Sequence, residues 1–429
     1  MRPAAGCLVL AAALGACATW PRPAASPQDF LRRASVDLCR QPDDPAAVVE
    51  RNRPGAVEIE RREEETSSGA TRMEQRFRLG PGEELAVERV VDAGRLRRLS
   101  VSLGTADETG SVRPRFLALV LPDCTIPQGR ELVYDGAGAA TELVHLGPNL
   151  VPTDEREVLH PPIPPGHDPG GVTVALVDSG IAYTVPVIAK GLARDASGRA
   201  LGYDYWDMDD RPYDLDTSRS PFFPRRHGTP VASILLREAP HVRLIPYRYP
   251  RPDLGRFAPL IADAEAKGAR LVGMALGSES LEDWQVFRQA AAARPDMLFI
   301  VSAGNDGRNL DETPLYPASL DLPNLLVVTS GDRHGRLAED ANWGPRTVDL
   351  MVPGDQVDVI DEHGRQGRAS GSSFAMPRVL ALAARLAKRH PKWDAAEIKA
   401  AIRKLAQPVP AYDIAPVRWG WLPDPEERS

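Results

Sequence analysis

The stretch Gly371-Ser372-Ser373-Phe374-Ala375-Met376-Pro377 decides how the rest of the chain is interpreted. A small, flexible run at 367–370 leads into it, and an apolar-periodic segment at 379–386 follows it. This pattern predicts a helix whose first turn begins at the serines and includes Pro377, where a missing N–H costs little. A serine held at the positive end of a helix, between small neighbours, has room for a substrate beside it. The alternative is a serine that only caps the helix, which is a common structural role.

The composition is typical of a folded protein of more than one domain. The chain has 429 residues, a net charge of −7 and 43% hydrophobic residues. This length favours two or three domains, and this apolar content is enough for a sizeable core. Acidic and basic residues are mixed along the chain, and no basic stripe indicates a nucleic-acid partner.

The N-terminus has the pattern of an export signal. Its apolar run at 7–13 is too short to anchor the chain across a membrane. The run ends in Leu14-Gly15-Ala16-Cys17, which resembles the bacterial lipoprotein signal motif. By that resemblance, residues 1–17 form the signal peptide and Cys17 becomes the acylated N-terminus, which attaches the protein to a membrane. An ordinary secretory signal cleaved nearby is the alternative. We therefore expect export to the cell envelope, as a periplasmic or outer-membrane lipoprotein in preference to a secreted protein.

Residues 18–160 are predicted to form a small, mainly β domain. Short alternating apolar runs separated by Gly, Pro and Asp are typical of antiparallel strands. They lie at 85–91, 99–103, 116–121, 131–134 and 143–146. The domain is a prodomain, a binding module or a spacer, and the sequence leaves these three open. Cys39 and Cys124 form an even pair in an oxidising compartment, which favours a disulfide over two separate thiols.

A stretch rich in Pro and Gly at 161–171 is interpreted as a linker, and the pattern changes after it. Runs rich in β-branched residues now alternate with helical patterns, which predicts an α/β domain with a parallel sheet flanked by helices. The strand runs lie at 172–177, 242–245, 271–276, 298–301 and 325–328, and the helical patterns at 231–237, 257–267 and 281–293. In such sheets, functional sites form beyond the carboxyl ends of the strands.

Four polar residues lie at the ends of these predicted elements. Asp178 follows the first strand, His227 opens a helix, Asn305 follows the strand at 298–301, and Ser373 opens the long helix. A hydroxyl becomes a nucleophile when an imidazole accepts its proton, and a carboxylate orients that imidazole. An amide side chain donates to the oxyanion that then forms. Each residue alone has common structural roles, but all four at element ends, in the order Asp, His, Ser, indicate nucleophilic catalysis.

Residues 172–406 resemble the subtilisin-like serine proteases (subtilases, peptidase family S8). The matching motifs are 174–180 (VALVDSG), 227–229 (HGT), 303–305 (AGN) and 371–377 (GSSFAMP). The resemblance implies a catalytic domain at 172–424 that hydrolyses peptide bonds through an acyl-enzyme. Ser373 would be the nucleophile, His227 the base and Asp178 its orienting partner. Asn305 and the Ser373 N–H would form the oxyanion hole.

The same resemblance implies where a substrate binds. Met274-Ala275-Leu276-Gly277 looks like the family's substrate-binding strand, which pairs with the peptide backbone and borders the pocket for the residue before the cut. Ala303 and Gly304 would contribute to the same substrate site.

Three departures from the family pattern stand out. Ser372 replaces the usual Thr, and Pro230 replaces a frequent second His. Arg225-Arg226 precede His227, where small or polar residues are usual. Two cations that point inward would lower the pKa of His227 by repulsion between like charges.

An acidic segment, Asp207-Met208-Asp209-Asp210-Arg211-Pro212-Tyr213-Asp214-Leu215-Asp216, lies between the Asp178 and His227 motifs. Clustered carboxylates could hold a structural calcium ion, which takes about six to eight oxygen ligands. The alternative is a solvated acidic loop paired with neighbouring arginines, because its spacing matches no defined calcium loop. No cofactor is required for the chemistry that the four residues predict.

Two other functions use the same residues. The chain could be a catalytically silent protein that binds a peptide or an envelope protein, but such a scaffold has no need of all four residues. It could also be an esterase with the same triad, which the peptide-pairing strand disfavours.

Overall fold

The computed structural model describes residues 26–423, apart from 67–68, 107–110, 137 and 411, and also residue 425. The chain divides into two compact units. The first contains the described residues up to Leu132 together with Val144–Glu155, and the second contains Val133–Leu143 and the described residues from Arg156 onwards. The predicted signal peptide and Cys17 lie outside the described residues.

The N-terminal sheet has eight strands that neighbour one another in chain order. Its pairs are antiparallel from the first strand to the sixth. The strands are β1 (Val57–Glu65), β2 (Thr71–Gly80), β3 (Glu83–Asp92), β4 (Arg95–Ala106), β5 (Val112–Val120), β6 (Gln128–Tyr134), β7 (Ala140–Leu146) and β8 (Pro152–Val158). Burial alternates along β3, as expected for a sheet with one covered face. The predicted antiparallel β region is therefore confirmed.

Two helices, α1 (Pro27–Arg40) and α2 (Pro45–Asn52), precede this sheet and were not predicted from the sequence. Ser26 caps α1 by accepting the Asp29 N–H at 3.1 Å, and Pro27 occupies the first helical position. The buried face of α1 includes Phe30, Leu31, Ala34 and Leu38. The helix packs against β4 and β5, so it covers the apolar face of the sheet.

The structure joins Cys39, on α1, to Cys124, in the turn after β5, through a disulfide. Both cysteines belong to the first unit. The bond therefore ties the helical layer of this unit to the loop between two of its strands.

The second unit is built on a sheet of eight parallel strands. They are β9 (Val172–Asp178), β10 (Tyr203–Asp204), β11 (Val242–Arg248), β12 (Leu271–Met274), β13 (Leu298–Ser302), β14 (Leu325–Gly331), β15 (Leu350–Pro353) and β18 (Gly420–Trp421). Their order across the sheet is β10-β11-β9-β12-β13-β14-β15-β18. A separate antiparallel pair consists of β16 (Val357–Ile360) and β17 (Gln366–Ala369).

Helices cover both faces of the parallel sheet, which confirms the predicted α/β architecture. They are α3 (Pro186–Gly191), α4 (Gly228–Glu238), α5 (Phe257–Ala266), α6 (Gln285–Ala292), α7 (Ser372–Arg389) and α8 (Ala395–Leu405). Side chains of β9 alternate between the faces: Val174 and Leu176 pack with α4 and α7, whereas Ala175 and Val177 pack with α5 and α6. Helix α7 is buried along most of its length, and its serine end lies at the sheet's carboxyl edge, where Ser372 Oγ accepts the Gly304 N–H.

The position of Pro377 was wrongly predicted. Helix α7 does begin at the serines, with Gly371 as its N-cap, but Pro377 lies beyond the first turn, inside the helix. Its missing N–H removes the bond that the carbonyl of Ser373 would otherwise accept within the helix. The tight packing of α7 against the sheet compensates for this loss, because Pro377 is itself buried.

The predicted linker at 161–171 has no helix or strand and is held along the second unit by polar contacts. The Tyr183 hydroxyl donates to the Pro161 carbonyl at 2.8 Å, and the Arg194 guanidinium donates to the Pro164 carbonyl at 2.8 Å. The Asp168 carboxylate accepts from the Arg243 guanidinium at 2.6 Å. The segment therefore runs in an irregular conformation along the second unit, held there by these hydrogen bonds.

Candidate active site

The parallel sheet brings the predicted site residues to one edge. Asp178 is the last residue of β9, and its neighbour Val177 is in register with Met274, the last residue of β12. Asn305 follows β13, which pairs with β12. His227 caps the N-terminus of α4, and Ser373 lies in the first turn of α7. The structure thus gathers Asp178, His227, Asn305 and Ser373 where a parallel sheet places its sites.

Asp178 and His227 form the central contact of the site. His227 Nδ1 lies 2.7 Å from Asp178 Oδ1, and the Asp178 side chain is buried. An Nδ1–H that donates to the carboxylate leaves Nε2 unprotonated, so that Nε2 can accept a proton from a nucleophile. Burial alone would lower the pKa of His227, but the Asp178 carboxylate outweighs burial, and the pKa of His227 is raised.

This raised pKa runs against the effect expected from the two preceding arginines. Arg226 points away from the imidazole: it donates to the Glu157 carboxylate and to the Asp214 carbonyl, and its guanidinium lies over the Tyr213 ring. Arg225 does act in the expected direction on the pKa of His227, but more weakly than Asp178.

A second carboxylate, Asp214, lies behind His227 and was not singled out from the sequence. Its side chain is 0% exposed. Its Oδ1 accepts the Ser179 hydroxyl at 2.6 Å and the His227 backbone N–H at 3.1 Å. Its Oδ2 accepts the Thr229 N–H at 2.8 Å and the Thr229 hydroxyl at 2.5 Å. Burial raises the pKa of Asp214 to about 6, although its hydrogen bonds act in the opposite direction.

We call Ser179, Asp214 and Thr229 the buried support, and Asp178, His227 and Ser373 the catalytic row. The support joins the loops that carry two members of the row. Ser179 Oγ accepts the Gly228 N–H at 2.9 Å, next to His227 in sequence, and the Ser179 N–H donates to Asp178 at 2.7 Å. These hydrogen bonds therefore fix the spacing between Asp178 and His227 through residues on their buried side.

The serine loop is tied to the loop that carries Asn305. The Ser372 N–H donates to Asn305 Oδ1 at 2.7 Å, and Ser372 Oγ accepts the Gly304 N–H at 3.0 Å. Gly371 has a φ of 132°, and a Cβ there would lie 3.0 Å from Asn305 Oδ1. These contacts occupy the Ser372 hydroxyl and the Asn305 oxygen, and they leave Asn305 Nδ2 as the donor available to an oxyanion.

Ser373, unlike Ser372, makes no hydrogen bond through its hydroxyl to any residue that the structure describes. It is 8% exposed, and the ring of the next residue, Phe374, lies 5.8 Å from the His227 ring, centroid to centroid. Bonds between a nucleophile and its base often tighten only when substrate is bound, so an open Ser373 hydroxyl beside His227 is compatible with catalysis.

The predicted substrate segments lie at the same edge. Met274 is buried in the core, so only its backbone could face a substrate, whereas residues 275–277 continue past the end of β12 and become exposed. Ala303 is also buried, and Gly304 is partly buried beside Ser372.

Calcium binding by the acidic segment 207–216 stays a prediction. Three of its carboxylates turn to separate protein partners: Asp207 to Arg248 and His160, Asp209 to Arg211, and Asp214 to Ser179 and Thr229. In the described part of the chain, the one group of three metal-ligating side chains within reach of one another is Asp361, Glu362 and His363, outside this segment.

Several known proteins are similar to this chain in sequence or in fold. The sequence pattern that defines the subtilase family (peptidase S8) matches residues 170–421. The chain is 30% identical over 236 residues to a thermophilic serine proteinase of Bacillus sp. (strain AK1). This alignment covers 51% of this chain and 53% of that proteinase. It is 28% identical over 136 residues to a thermostable alkaline protease of Halalkalibacterium halodurans, covering 32% of this chain and 36% of that protease.

The chain therefore spans about half the length of these relatives, or less. Among solved structures, the epidermin leader peptide processing serine protease of Staphylococcus aureus aligns with a TM-score of 0.50 and 17% identity. The alignment covers 61% of this chain and 75% of that one, and it shows a shared fold.

Proposed function

Because this chain belongs to the subtilase family, we propose that it is an exported serine endopeptidase that hydrolyses peptide bonds through Asp178, His227 and Ser373. The observation that supports this most directly is the 2.7 Å contact between His227 Nδ1 and Asp178 Oδ1. That contact sets the tautomer that a general base requires, at the edge of the sheet where the helix of Ser373 begins.

The proposed reaction has two halves. Ser373 Oγ attacks the substrate carbonyl carbon while its proton moves to His227 Nε2, and the resulting imidazolium is stabilised by Asp178. Asn305 Nδ2 and the Ser373 N–H donate to the oxyanion. The C–N bond then breaks, the leaving amine takes the proton from His227, and an acyl-enzyme remains. Water, deprotonated by His227, hydrolyses that ester and restores Ser373.

An extended peptide would bind by backbone pairing with residues 275–277. These residues leave β12 at the carboxyl edge and are partly or fully exposed, so their N–H and C=O groups can meet a substrate strand. This mode of binding favours a peptide or protein substrate over a small ester.

The cellular location follows from the N-terminal sequence. We assign residues 1–17 to a lipoprotein-type signal peptide, so that acylated Cys17 holds the protease on a membrane of the cell envelope, on the periplasmic side. Among the helices that the structure describes, none is long and apolar enough to cross a membrane. In the sequence, most of the first unit follows the anchor and precedes the catalytic residues, and it would serve as a prodomain, a binding module or a spacer.

The test is labelling of purified protein with a fluorophosphonate probe, which reacts with activated serines. Wild type, Ser373→Ala and Ser372→Ala are compared, because the two serines are adjacent and Ser372 is already bonded to Gly304. We expect labelling of wild type and of Ser372→Ala, and none of Ser373→Ala.

A second arm removes residues 18–155, which contain the first unit together with Val133–Leu143, and keeps the segment at 161–171. Labelling that appears only after removal would identify the first unit as an inhibitor. Absence of labelling in both forms, with near-ultraviolet circular dichroism demonstrating a folded protein, would overturn the protease proposal in favour of a silent protein that binds peptides.

A further inference from the structure

The space between the two predicted substrate segments is partly filled by one side chain, that of Leu315. Residues 275–277 and 303–305 leave the neighbouring parallel strands β12 and β13 at the same edge, and a third segment, 313–316, approaches them. Ser278 and Tyr316 are joined by two backbone hydrogen bonds, of 2.8 and 2.9 Å. Leu315, the residue before Tyr316, is therefore held beside the end of the substrate segment.

The position of Leu315 is fixed by distances to two glycines. A Cβ added to Gly304 would lie 2.6 Å from Leu315 Cδ2, and a Cβ added to Gly277 would lie 3.6 Å from the same methyl carbon. That methyl group thus sits between the two segments and touches the backbone of both. Asn342 Nδ2 would lie 2.5 Å from the same Cβ, so the space beside Gly304 is filled by both side chains.

Leu315 is well anchored in this place. It is partly buried and packs against the apolar cluster that covers this face of the sheet. The Ser319 N–H donates to the Leu315 carbonyl at 2.8 Å, and the Leu315 N–H donates to Ser319 Oγ at 3.2 Å. The hydrogen bonds hold the main chain of Leu315 in place, and the packing of its side chain against the apolar cluster opposes movement out of the gap.

The three segments that border the gap, 275–277, 303–305 and 313–316, carry no charged side chain. Arg308, in the loop after 303–305, donates to Glu279 at 2.7 Å and lies 3.7 Å from Asp306. These segments therefore offer no charge that would select a basic or an acidic substrate side chain. The gap can therefore discriminate substrate side chains by their size, because the side chain that limits it, Leu315, is apolar.

We propose that Leu315 limits the residue directly before the cleaved bond to a small, uncharged side chain, such as that of Gly, Ala or Ser. This inference rests on the proposed protease function, because it is the substrate side chain before the cut that would enter the gap between 275–277 and 303–305. A large side chain such as that of Phe would have to displace the Leu315 methyl group, and a well-packed site resists such displacement.

The experiment uses full-length protein and peptides that differ only in the residue before the cut, which is Ala, Leu or Phe. Wild type should cleave the Ala peptide with the highest kcat/KM. Leu315→Ala should raise the Phe-to-Ala ratio of kcat/KM by at least roughly 10- to 200-fold, the range that a single methylene group gives in an apolar pocket. Leu315→Val, which removes less volume and disturbs folding less, should give a smaller change in the same direction.

The matched control is Leu281→Ala, which removes the same atoms from an exposed leucine outside the gap. It should leave the ratio at the wild-type value. Equal cleavage of the Phe and Ala peptides by wild type would overturn the inference, and so would a ratio that neither Leu315 variant changes.

The fluorophosphonate probe separates this failure from failure of the proposed function. Labelling of Ser373 together with an unchanged ratio would refute the role of Leu315 alone. Absence of both labelling and hydrolysis in folded protein would refute both proposals.

Discussion

The catalytic row and the buried support meet at His227, and they differ in exposure to solvent and in their number of hydrogen bonds. In the row, the His227 side chain is 34% exposed and contacts one carboxylate, so it can exchange a proton with a substrate. In the support, Asp214 is 0% exposed and accepts four hydrogen bonds. Because Asp214 is buried and surrounded by donors, it has no path to a substrate. A residue that exchanges protons with a substrate must be accessible, whereas residues that position it are most effective when they are buried and all their polar groups are hydrogen-bonded.

The largest effect should come from the nucleophile in the row. Ser373→Ala should lower kcat by about a millionfold, the loss measured for the corresponding change in subtilisin, because no other hydroxyl can take its place. Single-turnover and steady-state hydrolysis of a peptide would measure it. Ser372→Ala, which loses only the bond to Gly304, should retain most of the rate. Comparable losses in the two variants would mean that the row is wrongly assigned.

The next effect should come from the orienting carboxylate. Asp178→Asn should lower kcat by about ten-thousandfold, because an amide that donates to Nδ1 stabilises the wrong tautomer of His227. It should also shift the pH profile. Asp178 is what raises the pKa of His227 against the effect of burial, so the acid limb of kcat/KM should move to lower pH in the variant. An acid limb that stays in place would show that another group titrates there.

A smaller effect is expected from the residue that would hold the oxyanion. Asn305→Ala should lower kcat by about a hundred- to a thousandfold, since it removes one donor to the transition state. KM should change little, because the bond strengthens only as the oxyanion forms. The Ser372 N–H loses its acceptor in this variant, so thermal unfolding must be measured beside kinetics. A rise in KM with unchanged kcat would assign Asn305 to substrate binding instead.

How far the sequence predicts this site depends on whether a residue adjoins a regular element. The apolar runs of β9 and β13 predict where those strands end, and Asp178 is the last residue of β9 while Asn305 lies shortly after β13. Asp214 has no such marker. It lies 13 residues before His227, in a loop with several other acids, and contacts with Ser179 and Thr229 decide which acid turns inward. The sequence carries only an indirect signal for Asp214. The hydroxyls of Ser179 and Thr229, close to Asp178 and His227, are expected to be buried, and a buried hydroxyl needs a hydrogen-bond partner.

The misses elsewhere have similar physical causes. Helix α1 carries a capping serine, a proline at its first position and apolar residues at helical spacing, but the surrounding prolines made the region resemble an irregular stretch. Pro377 was placed in a first turn because prolines are usual there. Its actual position is tolerated because tertiary packing of α7 outweighs the local propensity.

The smallest effect on rate is expected for Asp214 in the buried support. The contribution of Asp214 to stability should also depend on pH. Asp214→Asn should lower kcat/KM by up to about a hundredfold through a small displacement of His227, whereas Asp216→Asn, in the same loop, should have little effect. For stability, the folded pKa of about 6 exceeds the ordinary value of 3.8. Asp214 therefore favours folding below about pH 3.8, and this contribution is lost as the pH rises through about 6.

The free energy of unfolding isolates that contribution when Ser373→Ala is compared with Ser373→Ala/Asp214→Asn, because neither protein can digest itself. Between pH 4 and pH 7 the single variant should lose about 2 kcal/mol more than the double variant, which is most of the roughly 3 kcal/mol that corresponds to the full pKa difference. Other titrating groups are common to both proteins and cancel in the difference. A difference that is constant with pH would mean that Asp214 stays ionised throughout, held by its four donors. The support would then position His227 by hydrogen bonding alone, with no titration in this range.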